Sequence, residues 1–517
     1  MLEKISNSRF LIVFAIPFII GALGVLGFAP FNFTLINFII IPSFFFLISF
    51  VNKRSKSTYR KKPYLRNLFF IGYFFGIGFF LTNNYWISHS LTFDENLKIL
   101  IPFSIILIPM SLGLFFGLAS LISGPFIKNN YSSFTLFCLI LSLTDYFRGK
   151  ILTGFPWNLW SYSWSWAIEI IQILNPIGLY AFNSITIAFF CSPILFFFKN
   201  KSKYFIFSSF ILIFFSFYIY GSYKINSDKK ILNNIKEKVN VKIISPNFEM
   251  RYIQSDEEIK KTIKKVVRYS DPIPNKNTIF IWPEGIFAGV YLEDLKKFSN
   301  LFYENFSKNH IIIFGINTEE NSSGKFYNSL IATNNKLEIL YKYDKIKLVP
   351  FGEFLPFDNI LEKFGLKKIT YGYGSFSQGS KQGNFIVNNI SIFPLICYEI
   401  IFPSLLQNSN EKTNMVINIS EDAWFGDTIG PHQHFTKAIF RSIENNTYLI
   451  RSANKGFSAF INNNGVVIKL LNPGETGNIE LEVPILEAYS KNKNDLIFFL
   501  LLITYTLFFL ILRKTND

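Results

Sequence analysis

At 517 residues the chain is long enough for more than one domain, and half of it is apolar, with 18% aromatic and only 17% charged residues. Soluble domains carry about a quarter charged residues, so composition alone argues for a membrane protein and against an ordinary soluble enzyme. The net charge of +16 is not a nucleic-acid footprint, because the basic residues gather in short loops between apolar runs.

An apolar run of about 20 residues crosses a bilayer. Such runs are expected at about 9 to 28, 32 to 51, 67 to 88, 98 to 123, 133 to 147, 178 to 198 and 204 to 221, with an eighth at about 495 to 512. The first begins like a signal peptide, with Lys4 and Arg9. No small-residue cleavage site follows and further spans come at once, so it reads as a retained anchor. The loop from Asn52 to Arg66 carries Lys53, Arg54, Lys56, Arg60, Lys61, Lys62 and Arg66, which places it in the cytoplasm by the positive-inside rule. Counting onward, Lys128, the Lys199/Lys201/Lys203 cluster and the Arg513/Lys514 tail also fall inside, and Asp94 and Glu95 fall outside. Both termini are then cytoplasmic and the polar segment lies on the opposite side. The expected domains are a membrane domain over 1–221 with about seven transmembrane helices, a catalytic domain over 222–490, and a C-terminal transmembrane helix with a short tail over 491–517.

The polar segment changes character. Candidate strands are Val239 to Ser245, Thr278 to Trp282, Ile311 to Ile316, Tyr327 to Thr333, Phe385 to Ile396, Met415 to Ile419, Tyr448 to Ser452, Phe457 to Ile461 and Val466 to Leu471. Helical patterns near 255 to 269, 292 to 306 and 431 to 446 separate some of them, and such alternation predicts a layered α/β domain. The Asn/Lys-rich stretches near 224 to 238 and 490 to 494 read as linkers.

Of the three cysteines, Cys138 and Cys191 fall within apolar runs, where a thiol is usually a small hydrophobe, and only Cys397 sits in a mixed region. No metal-ligand spacing can be built from them, and His432 and His434 stand alone, so neither metal nor cofactor is expected. Three patterns carry chemistry. Phe280-Ile-Trp-Pro-Glu284 is an apolar strand ending in a carboxylate, although a glutamate after proline is usually just solvated. Tyr343-Asp-Lys345-Ile-Lys347-Leu-Val-Pro-Phe-Gly-Glu353 sets two lysines around an apolar run, and its plain reading is a surface charge run. Phe393-Pro-Leu-Ile-Cys397-Tyr398-Glu399 ends a strand in a thiol, more often an inert core cysteine. Together they supply what acyl transfer through a thioester needs: a carboxylate to accept the thiol proton and an ammonium to stabilise the thiolate and the oxyanion.

In this order, Trp-Pro-Glu284, the Lys345 segment with Leu-Val-Pro-Phe-Gly-Glu353, and Cys397-Tyr-Glu resemble the nitrilase (carbon-nitrogen hydrolase) superfamily. Within it, Glu421-Asp-Ala-Trp-Phe-Gly426, Gly430-Pro-His-Gln-His434, Arg451-Ser-Ala-Asn-Lys-Gly456 and Thr153-Gly-Phe-Pro-Trp157 resemble the bacterial apolipoprotein N-acyltransferases. The resemblance spans nearly the whole chain. It implies a multi-pass α-helical membrane domain plus an α/β nitrilase-like domain, an α-β-β-α sandwich. It also implies Glu284 as base, Lys345 as the partner cation and Cys397 as nucleophile, with Glu353, Tyr398 and Glu399 in support and Trp157, Trp424 and Phe425 as candidate substrate contacts. The implied reaction is ping-pong: Cys397 takes an acyl chain from a membrane phospholipid and passes it to the amine of a diacylglyceryl-cysteine at an apolipoprotein N-terminus. The expected setting is the bacterial inner membrane, with the catalytic domain periplasmic and the protein a monomer. Two departures stand out. Where the family commonly has Asn before Asp-Ala-Trp, this chain has Glu421, and no Trp lies between Trp166 and Trp282, where the family tends to carry one. The rival reading is a membrane-tethered nitrilase-type amidase whose thioester is attacked by water.

Overall fold

The computed structural model describes residues 8–58, 63–199, 201–251, 254–320, 324–356, 375–380, 383–407, 412–486, 488–489 and 495–515. Lys4, the Arg60, Lys61 and Lys62 part of the basic loop, and the stretch 490 to 494 read as a linker lie outside them. The chain divides into one unit of Met1–Lys224 with Lys493–Asp517 and another of Ile225–Asn492.

Among the described residues, six helices are long and apolar enough to cross a membrane: Thr34–Lys53, Tyr64–Phe93, Glu95–Phe126, Leu179–Phe197, Ser202–Asn234 and Leu496–Lys514. All lie in the first unit except the end of Ser202–Asn234, which runs past Lys224 into the second. The expected run at 9 to 28 is helical but broken into a π-turn, Leu11–Ala15, an α-helix, Ile16–Ala22, and a 3-10 turn, Leu23–Gly27. Gly21 and Gly78 let this run press onto its neighbour, since a Cβ at either would meet a backbone oxygen, of Phe75 or Phe18, at 2.0 Å. Small residues allow such approach where lipid supplies no hydrophobic drive between helices. The run expected at 133 to 147 is helix α1 (Tyr131–Arg148), and the next well-buried helix is α2 (Leu179–Cys191). At the end of α1, Arg148 Nη2 donates to Asp145 at 2.9 Å, and Asn183 of α2 donates to the other Asp145 oxygen at 2.9 Å. The same guanidinium donates to the carbonyls of Phe155 (2.6 Å) and Asn158 (3.2 Å), which ties down the loop after α1.

Helix α3 (Ser202–Asn234) corrects the linker reading of 224 to 238. No glycine or proline follows Gly221 to stop it, and Ile225, Ile231 and Leu232 keep a helical spacing. The helix therefore runs on to Asn234, where Leu232 packs on the core of the second unit.

The second unit holds β1 (Lys238–Ser245), helix α4 (Asp256–Ser270), β2 (Thr278–Ile281), β3 (His310–Glu320), β4 (Lys325–Thr333), β5 (Ile339–Asp344), β6 (Phe385–Val387), β7 (Ile390–Ile396), β8 (Lys412–Thr413), β9 (Met415–Glu421), helix α5 (Gly430–Asn445), β10 (Tyr448–Asn454), β11 (Ser458–Ile461), β12 (Val467–Leu471), β13 (Gly477–Pro484) and β14 (Ala488–Tyr489). Two six-stranded sheets form, in the orders β13-β1-β2-β3-β4-β5 and β12-β11-β10-β9-β7-β6. Alternation along each strand sends one row of side chains between the sheets. Ile279 and Ile281 of β2 meet Ile392, Ile396, Ile417 and Ile419 there, in one buried core. Phe280 and Trp282 point the other way, under α4, with Ile263 and Val266. Helix α4 starts at a capping box, Ser255 with Glu258. Helix α5 packs on β10 and β11 of the other sheet, completing an α-β-β-α sandwich.

The helical pattern at 292 to 306 resolves into two short helices, Leu292–Lys296 and Ser299–Asn305, both of which reach the core through Leu295 and Phe302. The single strand expected from Phe385 to Ile396 is the hairpin β6-β7, turned at Asn388 and Asn389 with φ of 49° and 63°. Asparagine tolerates that left-handed turn.

Candidate active site

The inner strands of both sheets run parallel: β1, β2 and β3 in one, β7, β9 and β10 in the other. Parallel strands present all their carboxyl ends to one edge, where loops are free to carry polar groups. Glu284 follows β2, Cys397 follows β7, Glu421 ends β9 and Asn454 ends β10.

Lys345, directly after β5, is 1% exposed. Its Nζ donates to Glu353 Oε1 at 2.8 Å and to Glu284 Oε1 at 3.4 Å. Burial alone would depress the ammonium, and the charges of Glu284 and Glu353 outweigh it and raise it above the ordinary lysine value. Asn328 of β4 joins the two acids by donating to both from one amide nitrogen, at 2.7 Å each. Glu353 is fixed in turn by the Val349 N–H at 2.9 Å. Of the run read plainly as surface charge, Tyr343, Lys345 and Glu353 are therefore buried while Lys347 is only half-buried, and Asn328 is a site residue that sequence spacing does not reveal.

Cys397 is 6% exposed, and its backbone adopts φ of +50° at the step from β7 into a 3-10 turn. A left-handed non-glycine residue at this point costs about 1–3 kcal/mol and persists only where its surroundings over-determine it. Burial first, then the charge of Glu284, pushes its thiol above the usual range, against the pull of Lys345. Glu399 does the tying. It accepts from the Tyr343 hydroxyl (2.9 Å) and the Ile346 and Lys347 amides (2.8 and 3.0 Å) with one oxygen, and from the Ile396 amide (2.8 Å) with the other. One carboxylate thus pins the lysine loop to the nucleophile strand. Tyr398 is half-buried and packs edge-on against Phe402.

His434, which stands alone in the sequence, lies against the nucleophile in space. Its Nε2 is 3.3 Å from the Cys397 carbonyl oxygen. Its Nδ1 lies 3.1 Å from Asp422 Oδ1 and 3.0 Å from Arg451 Nη2, so the imidazole bridges the nucleophile's backbone and the Asp422–Arg451 pair. Arg451 also donates to both oxygens of Asp422, at 2.9 and 2.8 Å, and to Asn418. This cluster joins β9, β10 and α5 behind Cys397, and spacing gives no sign of it. Burial, then Arg451, lowers the His434 imidazole to about 4. For Asp422, burial would raise the carboxyl, but Arg451 overrides it and holds the group below the ordinary range.

An unfolded histidine titrates near 6.5, so between about pH 6.5 and 4 the unfolded chain binds a proton that the folded chain refuses. The stability from neutral His434 is complete above that window and is lost as pH falls through it. Asp422 acts in the same direction at still lower pH. The melting temperature of the protein should therefore fall between pH 7 and 4, and His434→Gln should flatten that slope. An unchanged slope in the variant would place the titration elsewhere.

Glu284, Glu353, Glu421, Asn328, Phe287 and half-buried Trp424 line one pocket. Phe425, 8% exposed, instead packs edge-on against His434. Trp157 belongs to the first unit and is fully buried, stacked on Phe155 and close to Trp86. Among the described residues, no group of three His, Cys, Asp or Glu is placed to hold a metal.

The sandwich is of the carbon-nitrogen hydrolase class, whose family model, "Carbon-nitrogen hydrolase", matches residues 254–489. A second model, "Apolipoprotein N-acyltransferase N-terminal domain", matches residues 20–192. The apolipoprotein N-acyltransferase of Rickettsia typhi is 32% identical over 478 residues, covering 91% of each chain. That of Allorhizobium ampelinum is 29% identical over 460 residues, covering 86% of this chain and 85% of its own. Among solved structures, Saccharomyces cerevisiae Nit3, a member of branch 10 of the nitrilase superfamily, aligns at 17% identity with 48% of this chain and 91% of its own, with a TM-score of 0.36. The chain belongs to the apolipoprotein N-acyltransferase family.

Proposed function

We propose that this multi-pass membrane enzyme moves an acyl chain from a phospholipid to the N-terminal amine of a diacylglyceryl-cysteine lipoprotein through a thioester on Cys397. The observation that carries the reading is the buried cation of Lys345, held between Glu284 and Glu353 beside a cysteine in strained backbone. In the first half-reaction Glu284 takes the Cys397 proton, sulfur attacks the ester carbonyl, Lys345 stabilises the oxyanion, and the leaving glycerol oxygen collects the proton. In the second, the amine forms a C–N bond as the C–S bond breaks. Glu353 and Asn328 hold the Lys345–Glu284 pair, and Glu399 keeps the lysine loop against the nucleophile. Half-buried Trp424 offers an apolar wall to lipid, and Trp157 stiffens the loop after α1. The lysines at Lys199, Lys201 and Lys203, with Arg513 and Lys514, support a cytoplasmic side opposite a periplasmic catalytic domain, acting as a monomer.

The test is to incubate purified protein with vesicles of labelled phospholipid and a diacylated lipopeptide. Label in amide linkage on the peptide is the expected result. Release of free fatty acid alone would instead favour a hydrolase.

A further inference from the structure

We propose that Glu421 is a second acidic group of the acceptor half-reaction, receiving the ammonium of the lipoprotein N-terminus and its surplus proton. This rests on the acyl-transfer reading above.

Glu421 is 2% exposed, yet it lines the same pocket as Glu284 and Glu353. Its backbone N–H donates to Glu284 Oε2 at 3.1 Å. Its own oxygens accept from the Ala423 amide (3.1 Å) and the Asn454 side chain (3.1 and 2.9 Å). Oε2 lies over Gly285, where a Cβ would meet it at 2.2 Å. Every donor to Glu421 among the described residues is neutral. Three carboxyls thus line the pocket, and the ammonium of Lys345, buried behind it, bonds the other two. The charged groups around Glu421 are Glu284 after β2, Lys345 and Glu353 after β5, and Asp422 next in the chain, which Arg451 and His434 engage. Burial and the charges of Glu284 and Asp422 push the Glu421 carboxyl well above the ordinary range. Among the described residues, no cation bonds it.

Proton balance gives this carboxyl a use. A terminal amine arrives largely as ammonium near neutral pH. Ammonium plus thioester gives amide, thiol and one proton too many for the triad. Glu284 can return one proton to the Cys397 sulfur; the other needs a separate acceptor. An arriving ammonium displaces the Glu421 proton to water and pairs with the carboxylate. It then passes one proton to Glu421 and becomes a free amine, whose lone pair attacks the thioester carbonyl. As C–S breaks, one of the two amine protons travels through Glu284 to sulfur while the other stays on the amide nitrogen, and Glu421 ends protonated, as it began.

The experiment loads the full-length protein and its Glu421→Gln variant with labelled phospholipid, then adds either diacylated lipopeptide or hydroxylamine, which is uncharged at neutral pH. In Glu421→Gln, transfer to the lipopeptide should fall at least about tenfold more than thioester formation does. Hydroxylamine should release label from both proteins at rates within about twofold, and Glu421→Asp should recover part of the lipopeptide rate. Equal losses toward lipopeptide and hydroxylamine, or no loss toward either, would overturn the assignment. Failure of the wild-type protein itself to form an acyl-enzyme would sink the acyl-transfer reading first.

Discussion

A Cys397→Ser protein should form no acyl-enzyme and transfer no acyl chain, while Cys138→Ser and Cys191→Ser proteins remain active. The serine keeps the shape of the site, but a hydroxyl is far less acidic than a thiol of ordinary pKa about 8.5. The native thiol is already pushed upward by burial and by Glu284, so the nucleophile forms only as Glu284 takes the proton. A less acidic group in the same place adds to a barrier that is high at the outset. Cys138 and Cys191 are buried far along the chain in the helical unit and have no part in that step. Mapping the label from phospholipid by peptide mass spectrometry decides the matter. Label on the Cys397→Ser protein, or label that follows Cys138 or Cys191, would remove the proposed nucleophile.

Lys345→Met should cost about 3 kcal/mol or more in transition-state stabilisation, a loss of two to three orders of magnitude in turnover, as removal of other oxyanion donors does. It should also destabilise the fold. The lysine is the only ammonium bonded to Glu284 and Glu353 among the described residues, and breaking a buried pair from one side costs about 3–5 kcal/mol because it strands the opposite charge. The two effects separate in the double variant Lys345→Met/Glu353→Gln. Removing one stranded carboxylate should recover part of the melting temperature and none of the turnover. Recovery of both together would mean that Lys345 serves only to hold the fold.

The acidic and thiol ends of the site were legible because each closes a strand with an unmistakable apolar run. Thr278 to Trp282 leads to Glu284, and the run through Ile396 leads to Cys397. The strand before Lys345 was not. In Ile339–Asp344 the sequence Ile-Leu-Tyr-Lys-Tyr-Asp belongs to an edge strand with both first residues exposed, so charge and apolar surface mix where alternation would normally show. The strand Gly477–Pro484 escaped for a related reason: it pairs at the opposite edge and is only partly covered along most of its length. The cluster behind the nucleophile was illegible in principle from spacing. His434 meets Asp422 and Arg451 only because α5 folds back over β9 and β10. The family resemblance of those motifs locates the residues but not their contact. Helix α3 runs past its expected end because a polar composition does not itself break a helix, which stops where capping or glycine stops it.

The Asp145–Arg148 pair of helix α1, both residues 2% exposed or less, bears on how the chain is made. A charged residue at the centre of a lone transmembrane helix costs about 2.5–3.5 kcal/mol at the insertion machinery, and less near its ends. Helix α1 emerges from the ribosome before Asn183, the residue on α2 that completes the Asp145 hydrogen bonds, has been synthesised. Until then the i,i+3 ion pair and the Phe155 and Asn158 carbonyls are the partners that offset the cost of burying that end. The order of synthesis therefore favours α1 settling only together with α2, whose Asn183 completes the Asp145 hydrogen bonds.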